Sequence, residues 1–276
     1  MIVVAGARGM LGHDLMELYG SECRGVYHDE MDITSAISVE RVLQDLRPKV
    51  VINAVAYTDV DGCETNQERA FQVNGEGVLH LARVTAEIGA KLVQISTDYV
   101  FDGSKGKPWH EDDRVNPLSV YGRSKLAGEE NARFNPDHLI IRAQWLYGLH
   151  GKNFVETMLR LAKEKDELSV VHDQVGSPTW TVDLSRAIRA LISNDCRGTY
   201  HAANGGSCSW CEFAAAIFAE SGFDTVVKPI TTSELGRPAP RPLYSVLDCE
   251  KLQRDTGYLP DSWRQALRNY LEARRP

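Results

Sequence analysis

The sequence contains no apolar run long enough to cross a bilayer as a helix, which excludes a helical membrane span. It also lacks an excess of positive charge. Lys and Arg number 31 against 38 Asp and Glu, and the formal net charge is −7, which argues against a general nucleic-acid or membrane-surface role. A local arginine or a helix terminus can still hold an anion on such a chain. Cysteine is sparse, at six residues, and Cys208-x-x-Cys211 has neither the second pair nor the spaced histidines of a structural zinc site. The run 205–210 looks like a turn entering a helix, so the cysteines read as reduced thiols and no metal is expected. Internal repeats, low-complexity tracts and linkers are absent. Met1 leads directly into the first apolar run, which leaves no room for a signal peptide and makes the cytoplasm the expected location.

What is present is an ordinary globular composition, 43% hydrophobic and 25% charged over 276 residues, enough for one large α/β unit with a smaller lobe. The chain opens on MIVVAGARGMLG. Residues 2–5 are apolar and partly β-branched, as in a strand buried on both faces. Gly6, Gly9 and Gly12 follow at three-residue spacing, and Leu11, Leu15, Met16 and Leu18 then recur at helical intervals. Strand, glycine turn and helix is the context in which a dinucleotide fingerprint has meaning. Gly6 suits the tight turn, Gly9 lets backbone approach a pyrophosphate, and Gly12 lets helix and strand pack closely. The spacing is G-x-x-G-x-x-G rather than the dehydrogenase G-x-G-x-x-G.

Strand-like and helical segments alternate thereafter. Strands are expected at 23–27, 49–55, 91–96, 138–145, 168–171 and 199–203. Helices are expected at 35–46, 67–88, 120–134, 153–165 and 182–193. This alternation predicts a doubly wound, Rossmann-type parallel sheet with ligands at the carboxyl ends of its strands. After about residue 202 prolines interrupt the pattern. The expected division is a dinucleotide-binding domain over 1–147, with 168–202 returning to it. A substrate-binding lobe over 203–276 would be joined by 148–167.

Several residues at strand ends carry candidate chemistry. Asp32 can accept from an adenine amino group or a ribose hydroxyl, or cap the next helix. Arg8 offers a cation for a 2′-phosphate and favours NADPH, while the acidic pair Asp29–Glu30 favours NADH; the balance leans slightly to NADPH. The small residues after the third strand, Ala54 and Ala56, would let a ribose lie against backbone. Thr97 ends the fourth strand. Tyr121 and Lys125, four apart on the next helix, share a face. An ammonium near a phenol stabilises its phenolate, which would make Tyr121 a usable general acid for a carbonyl reduced by hydride. Thr97 would bond the same oxygen, and Lys125 would reach the nicotinamide ribose.

Taken together, Gly6-x-x-Gly9-x-x-Gly12, Ser96-Thr97-Asp98 and Tyr121-x-x-x-Lys125 resemble the extended short-chain dehydrogenase/reductase superfamily. STDYVFDG at 96–103, Pro117-Leu118 before YGRSK, RAQWLYG at 142–148, DQxGSPT at 173–179 and Arg241-Pro242 resemble, more narrowly, the dTDP-4-dehydrorhamnose reductase family. The resemblance covers essentially the whole chain. It implies reduction of the 4-keto group of dTDP-4-dehydro-L-rhamnose by NADPH or NADH, with Thr97, Tyr121 and Lys125 as the catalytic trio. It assigns Gly6, Gly9, Met10, Leu11, Gly12, Asp32, Ile33, Ala54, Ala56 and Tyr57 to the cofactor. It assigns Tyr99, Val100, Trp145, Asn153 and Arg241 to the sugar nucleotide. Some family members form a magnesium-bridged dimer through glutamates, but residues 271–273 do not match that arrangement, so a homodimer is expected only without metal. Two alternatives stand beside this. One is a non-catalytic, NADP-binding regulatory subunit like that of methionine adenosyltransferase. The other is a different sugar-nucleotide reductase, epimerase or dehydratase.

Overall fold

The structure is a computed structural model and describes residues 1–275. Its centre is a six-stranded parallel sheet built from β1 (Ile2–Ala5), β2 (Cys23–Val26), β3 (Val50–Asn53), β4 (Lys91–Thr97), β5 (His138–Ala143) and the strand Gly198–His201. The spatial order runs from Gly198–His201 through β5, β4, β3 and β1 to β2. The order reverses between β1 and β3, and that switch point opens a crevice at the carboxyl ends of the strands.

Strand alternation divides the core between the two faces of the sheet. Val4, Ile52, Val93 and Ile141 pack with Leu11, Leu15, Leu184 and Ile188 from two helices on one side. Val3, Val51, Leu92 and Ile140 pack with Val39, Leu43, Leu81 and Ala82 on the other. All seven positions of β4 are buried, which fits its central place. The one cation among them, Lys91, is bonded to Asp137 at 2.6 Å and to the Cys196 carbonyl at 3.1 Å.

A second apolar cluster lies beyond the sheet. Tyr147, Val155, Leu159, Phe213, Ile217, Trp263 and Tyr270 join the helices Phe154–Ala162, Trp210–Ser221 and Trp263–Ala273. Here the sequence expectation needs correction. The strand Glu167–Val171 does not return to the main sheet, and neither do the short strands Val175–Gly176 and Thr179–Trp180. Glu167–Val171 pairs in parallel with Val226–Ile230, a strand with no fully buried position and a proline, hidden in what reads as a loop. The strand Gly198–His201 does return, alongside β5. The expected helix 67–88 contains a π-helical turn at Gln72–Glu76. Short helices at Val60–Thr65, Thr232–Leu235 and Glu250–Thr256 fall below the length that periodicity detects.

Candidate active site

The glycine turn forms as its spacing requires. Gly6 has φ +80° and donates its N–H to the Val26 carbonyl at 3.1 Å. A Cβ on Gly6 would stand 3.0 Å from the Val55 nitrogen, and one on Gly12 only 2.7 Å from the Ala7 Cα, so both glycines are close-approach positions. Gly9 caps the helix Met10–Tyr19 without a side-chain acceptor, which leaves the first-turn N–H groups facing the crevice. A small cavity of about 170 Å³ beside the turn is lined by Gly6, Arg8, Gly9, Tyr27, His28, Met31, Ile33 and Val55. Arg8 lies over the Tyr27 ring at 4.4 Å and 3.5 Å from Asp29, with its side chain 70% exposed. Asp32 turns elsewhere. Its carboxylate accepts from the Thr34 N–H at 2.9 Å and hydroxyl at 2.8 Å, while Ser35 caps the following helix.

The main cleft, about 560 Å³, is lined by Arg8, Gly9, Met10 and Leu11 on one wall and by Ala54, Ala56, Thr97, Tyr121 and Lys125 on another. Ser119 caps the helix Val120–Ala132, accepting from the Gly122 N–H at 3.1 Å, and this start directs Tyr121 and Lys125 inward beside Thr97. Burial pushes the Tyr121 phenol well above its usual range, with a hydrogen bond from Thr97 pulling the other way. The expectation that Lys125 lowers it is not met in this state. Lys125 Nζ donates to the Ile95 carbonyl at 2.7 Å, and burial itself drives the lysine down to about 8 against the pull of the Glu129 carboxylate. A phenol held up by burial keeps its proton at neutral pH but is a weaker acid, so giving up that proton requires stabilisation of the phenolate. Burial likewise raises Asp98 to about 6, and its Oδ1 accepts from the Thr97 hydroxyl at 3.0 Å.

Three buried groups that sequence reasoning missed hold this arrangement. Glu129 is fully buried, accepting from Ser96 at 2.6 Å and from Arg142 at 2.8 and 2.7 Å. Asn74, inside the π turn, accepts from the Tyr57 N–H at 2.8 Å and donates to the Tyr57 carbonyl and the Ser124 hydroxyl, both at 3.0 Å. It thereby ties the end of β3 to the helix Val120–Ala132, and a π turn at such a place is a recurring feature of functional sites. The available signals were a polar residue within the apolar pattern of 67–88 and a glutamate four residues past Lys125.

The substrate candidates divide. Tyr99 stands edge-on to Tyr121, with ring centroids 5.4 Å apart, and lines both the main cleft and an adjoining cavity of about 520 Å³. Trp145 also lines the cleft, in left-handed backbone at φ +49°. Its indole stacks on Trp210 at 3.6 Å, and a Cβ on Gly176 would come within 2.6 Å of the same ring, so its faces are largely occupied. Arg241 lines the adjoining cavity, held by Asp61 at 3.0 Å through two nitrogens. Val100 is a correction: it is fully buried with Phe101, Trp109 and Leu247 and belongs to the core. Asn153 and Tyr57 lie outside the cleft lining. Asn153 caps the helix Phe154–Ala162, and Tyr57 is engaged by Asn74 through its backbone.

Two buried polar atoms of the cleft, Asp98 Oδ2 and Gln144 Nε2, find no partner among the described residues, as in a site that a ligand completes. The glycine cradle with free N–H groups and the small alanines after β3 fit a dinucleotide. Fold and site together define a Rossmann-type, nicotinamide-dependent oxidoreductase of the short-chain dehydrogenase/reductase kind. The match to the family described as RmlD substrate binding domain covers residues 1–275, and the chain belongs to that family. It is 45% identical to the spore coat polysaccharide biosynthesis protein SpsK of Bacillus subtilis (strain 168), covering 99% of this chain and 97% of the relative. It is 43% identical to a dTDP-4-dehydrorhamnose reductase of Streptomyces griseus, covering 96% and 91%. A crystal structure of dTDP-4-dehydrorhamnose reductase from Bacillus anthracis str. Ames in complex with NADP superposes with a TM-score of 0.96 at 39% identity, covering 99% and 98%.

Proposed function

We propose that the chain reduces the 4-keto group of dTDP-4-dehydro-L-rhamnose with NADPH, giving dTDP-L-rhamnose. The observation that carries this is the convergence of Thr97, Tyr121 and Lys125 with the glycine turn in one cleft. The reduced nicotinamide, when bound, supplies the hydride that reaches carbon 4. Tyr121 gives its proton to the carbonyl oxygen as that oxygen gains charge, and Thr97 hydrogen-bonds the same oxygen. Lys125 binds the ribose next to the nicotinamide and supports Tyr121 through its charge. Tyr99 and Trp145 flank the sugar. Arg241, freed from Asp61, pairs with the diphosphate of the substrate.

In this reading residues 1–153 with 172–202 hold the dinucleotide, and 203–275 with 154–171 hold the sugar nucleotide. Arg8, lining the cavity beside the turn, suits a 2′-phosphate and supports NADPH over NADH. Cytoplasmic placement and a metal-free homodimer belong to the same proposal, and sedimentation reads the second. The deciding experiment is oxidation of NADPH with enzymatically generated dTDP-4-dehydro-L-rhamnose, beside a panel of other keto-sugar nucleotides. Stoichiometric, substrate-dependent oxidation is expected. Binding of NADPH without oxidation across the panel would instead mark a binding subunit.

A further inference from the structure

The segment between the strand Leu146–Tyr147 and the helix Phe154–Ala162 is a short loop with fixed ends and an exposed tip. At its start the Gly148 carbonyl accepts from Asn153 Nδ2 at 2.8 Å and from the Tyr270 hydroxyl at 3.4 Å. Gly148 also presses on the glycine turn: a Cβ there would lie 2.8 Å from Met10 Cγ and would strike the Thr181 hydroxyl. At its end Asn153 is 8% exposed, and its Oδ1 accepts from the Glu156 N–H at 3.0 Å. The single side chain of Asn153 therefore closes the loop and caps the next helix. Between these anchors Gly151 has φ +90° with open space around it, so the chain reverses there.

The tip carries positive charge to a definite place. His150, Gly151 and Lys152 line the main cleft together with Arg8, Gly9, Met10 and Leu11. His150 is stacked on His13, in the first turn of the glycine helix, with ring centroids 4.1 Å apart and planes 19° apart. Among the described residues lining the cleft, Lys125 is bonded to the Ile95 carbonyl and Arg8 also lines the separate small cavity beside Tyr27 and Asp29. A dinucleotide seated on the glycine turn leaves part of its diphosphate open to the cleft, where an ammonium is a compact partner for phosphate oxygens.

We propose that residues 148–153 form a strap beside the glycine turn that grips the diphosphate of the bound dinucleotide, with Lys152 as its cationic contact, His150 as its brace on His13, and Asn153 as its anchor. This rests on the reading of the cleft as a nicotinamide-dinucleotide site. The strap makes Asn153 a positioning residue that acts through Lys152.

The test is equilibrium binding of NADPH to the full chain without sugar nucleotide, read by NADPH fluorescence, for the wild type and the Lys152→Ala, Lys152→Arg and Lys165→Ala variants. Loss of one charge-assisted phosphate contact predicts about a tenfold higher Kd for Lys152→Ala. Most of the affinity should return in Lys152→Arg, and Lys165→Ala should match the wild type. Binding of 2′-AMP, which has no diphosphate, should be the same in all four. NADPH, but not 2′-AMP, should also slow cleavage by a lysine-specific protease after Lys152. Wild-type affinity for NADPH in Lys152→Ala would overturn the strap while leaving the cofactor reading intact. An equal loss for 2′-AMP would overturn it by moving Lys152 to the adenosine end. Failure of the wild type itself to bind NADPH would remove the cofactor reading, and the strap with it.

Discussion

Glu129 lies one helical turn beyond Lys125, and its buried carboxylate is closed by Arg142 at 2.7 Å and by the Ser96 hydroxyl at 2.6 Å. Ser96 precedes Thr97, so this one carboxylate fixes the end of β4 and opposes the effect of burial on Lys125. The pair is expensive to break, because either partner alone would be a buried, unmatched charge.

The first prediction concerns stability. Glu129→Ala should destabilise the fold by about 3–5 kcal/mol, the usual cost of stranding one member of a buried ion pair. Urea denaturation checks it. A loss below about 1 kcal/mol, within the range of exposed pairs, would show that the Arg142 charge finds another outlet.

A second prediction follows from Lys125, whose pKa falls from its ordinary 10.5 to about 8 on burial. Between those values the unfolded chain binds more protons than the native one. Lys125 therefore contributes stability that increases as pH rises from about 8 towards about 10.5. Buried thiols and phenols titrate in the opposite sense nearby, so the difference between the wild type and Lys125→Met isolates the lysine. That difference, followed by denaturation of the ligand-free protein, should grow in favour of the wild type with rising pH. A flat difference would place the ammonium in solvent.

Tyr121→Phe should lower kcat by about 10²–10⁴-fold, the usual share of a general acid, while the Kd for NADPH changes little. Turnover near that of the wild type at saturating substrate would take the proton-donor role away from Tyr121.

Arg8→Ala should weaken NADPH binding and leave NADH nearly unchanged, because the exposed guanidinium lines the small cavity beside the glycine turn. Isothermal titration with both cofactors checks this, and equal losses would show that Arg8 does not read the 2′-phosphate.

With dTDP-glucose and no added NADPH, no elimination of water is expected. A 4,6-dehydratase needs an acid and a base after the catalytic threonine, and here Thr97-Asp98 is followed by Tyr99, whose phenol burial pushes far from ionisation. Formation of dTDP-4-keto-6-deoxyglucose would place the chain among the dehydratases.

The sequence made much of the central sheet legible because β1, β3 and β5 are nearly continuous apolar runs and the first glycines are locally interpretable. Gly6, Gly12 and Thr97 stand out as candidates by their place at or just after a strand end, and Tyr121 and Lys125 by their four-residue spacing on one helix. Less was legible where a side chain's partner is distant in sequence. Glu129 and Arg142 announce nothing singly, and Asn74 reads as an ordinary polar residue until Tyr57 and Ser124 are brought to it. Val100, next to Tyr99, looked equally eligible for the site. The one-turn 3₁₀ segment Asp98–Val100 sends Tyr99 to the cleft and Val100 to the core, a division that neighbouring positions in a sequence do not reveal. Burial also reversed the expected electrostatics of Tyr121, since desolvation outweighs the influence of a lysine that has a carbonyl of its own to bind.

The apolar cluster around Tyr147 has a consequence for how the chain is made. The six-stranded sheet can close once residue 201 has left the ribosome, so the dinucleotide half is able to assemble early. Tyr147, Val155 and Leu159 are by then already synthesised, but the helices that cover them, Trp210–Ser221 and Trp263–Ala273, have yet to emerge. For that interval the nascent chain carries a nearly finished nucleotide fold with an uncovered aromatic flank. Arrest of translation between residues 201 and 263 should therefore yield a species that associates with holdase chaperones through the surface the completed protein hides.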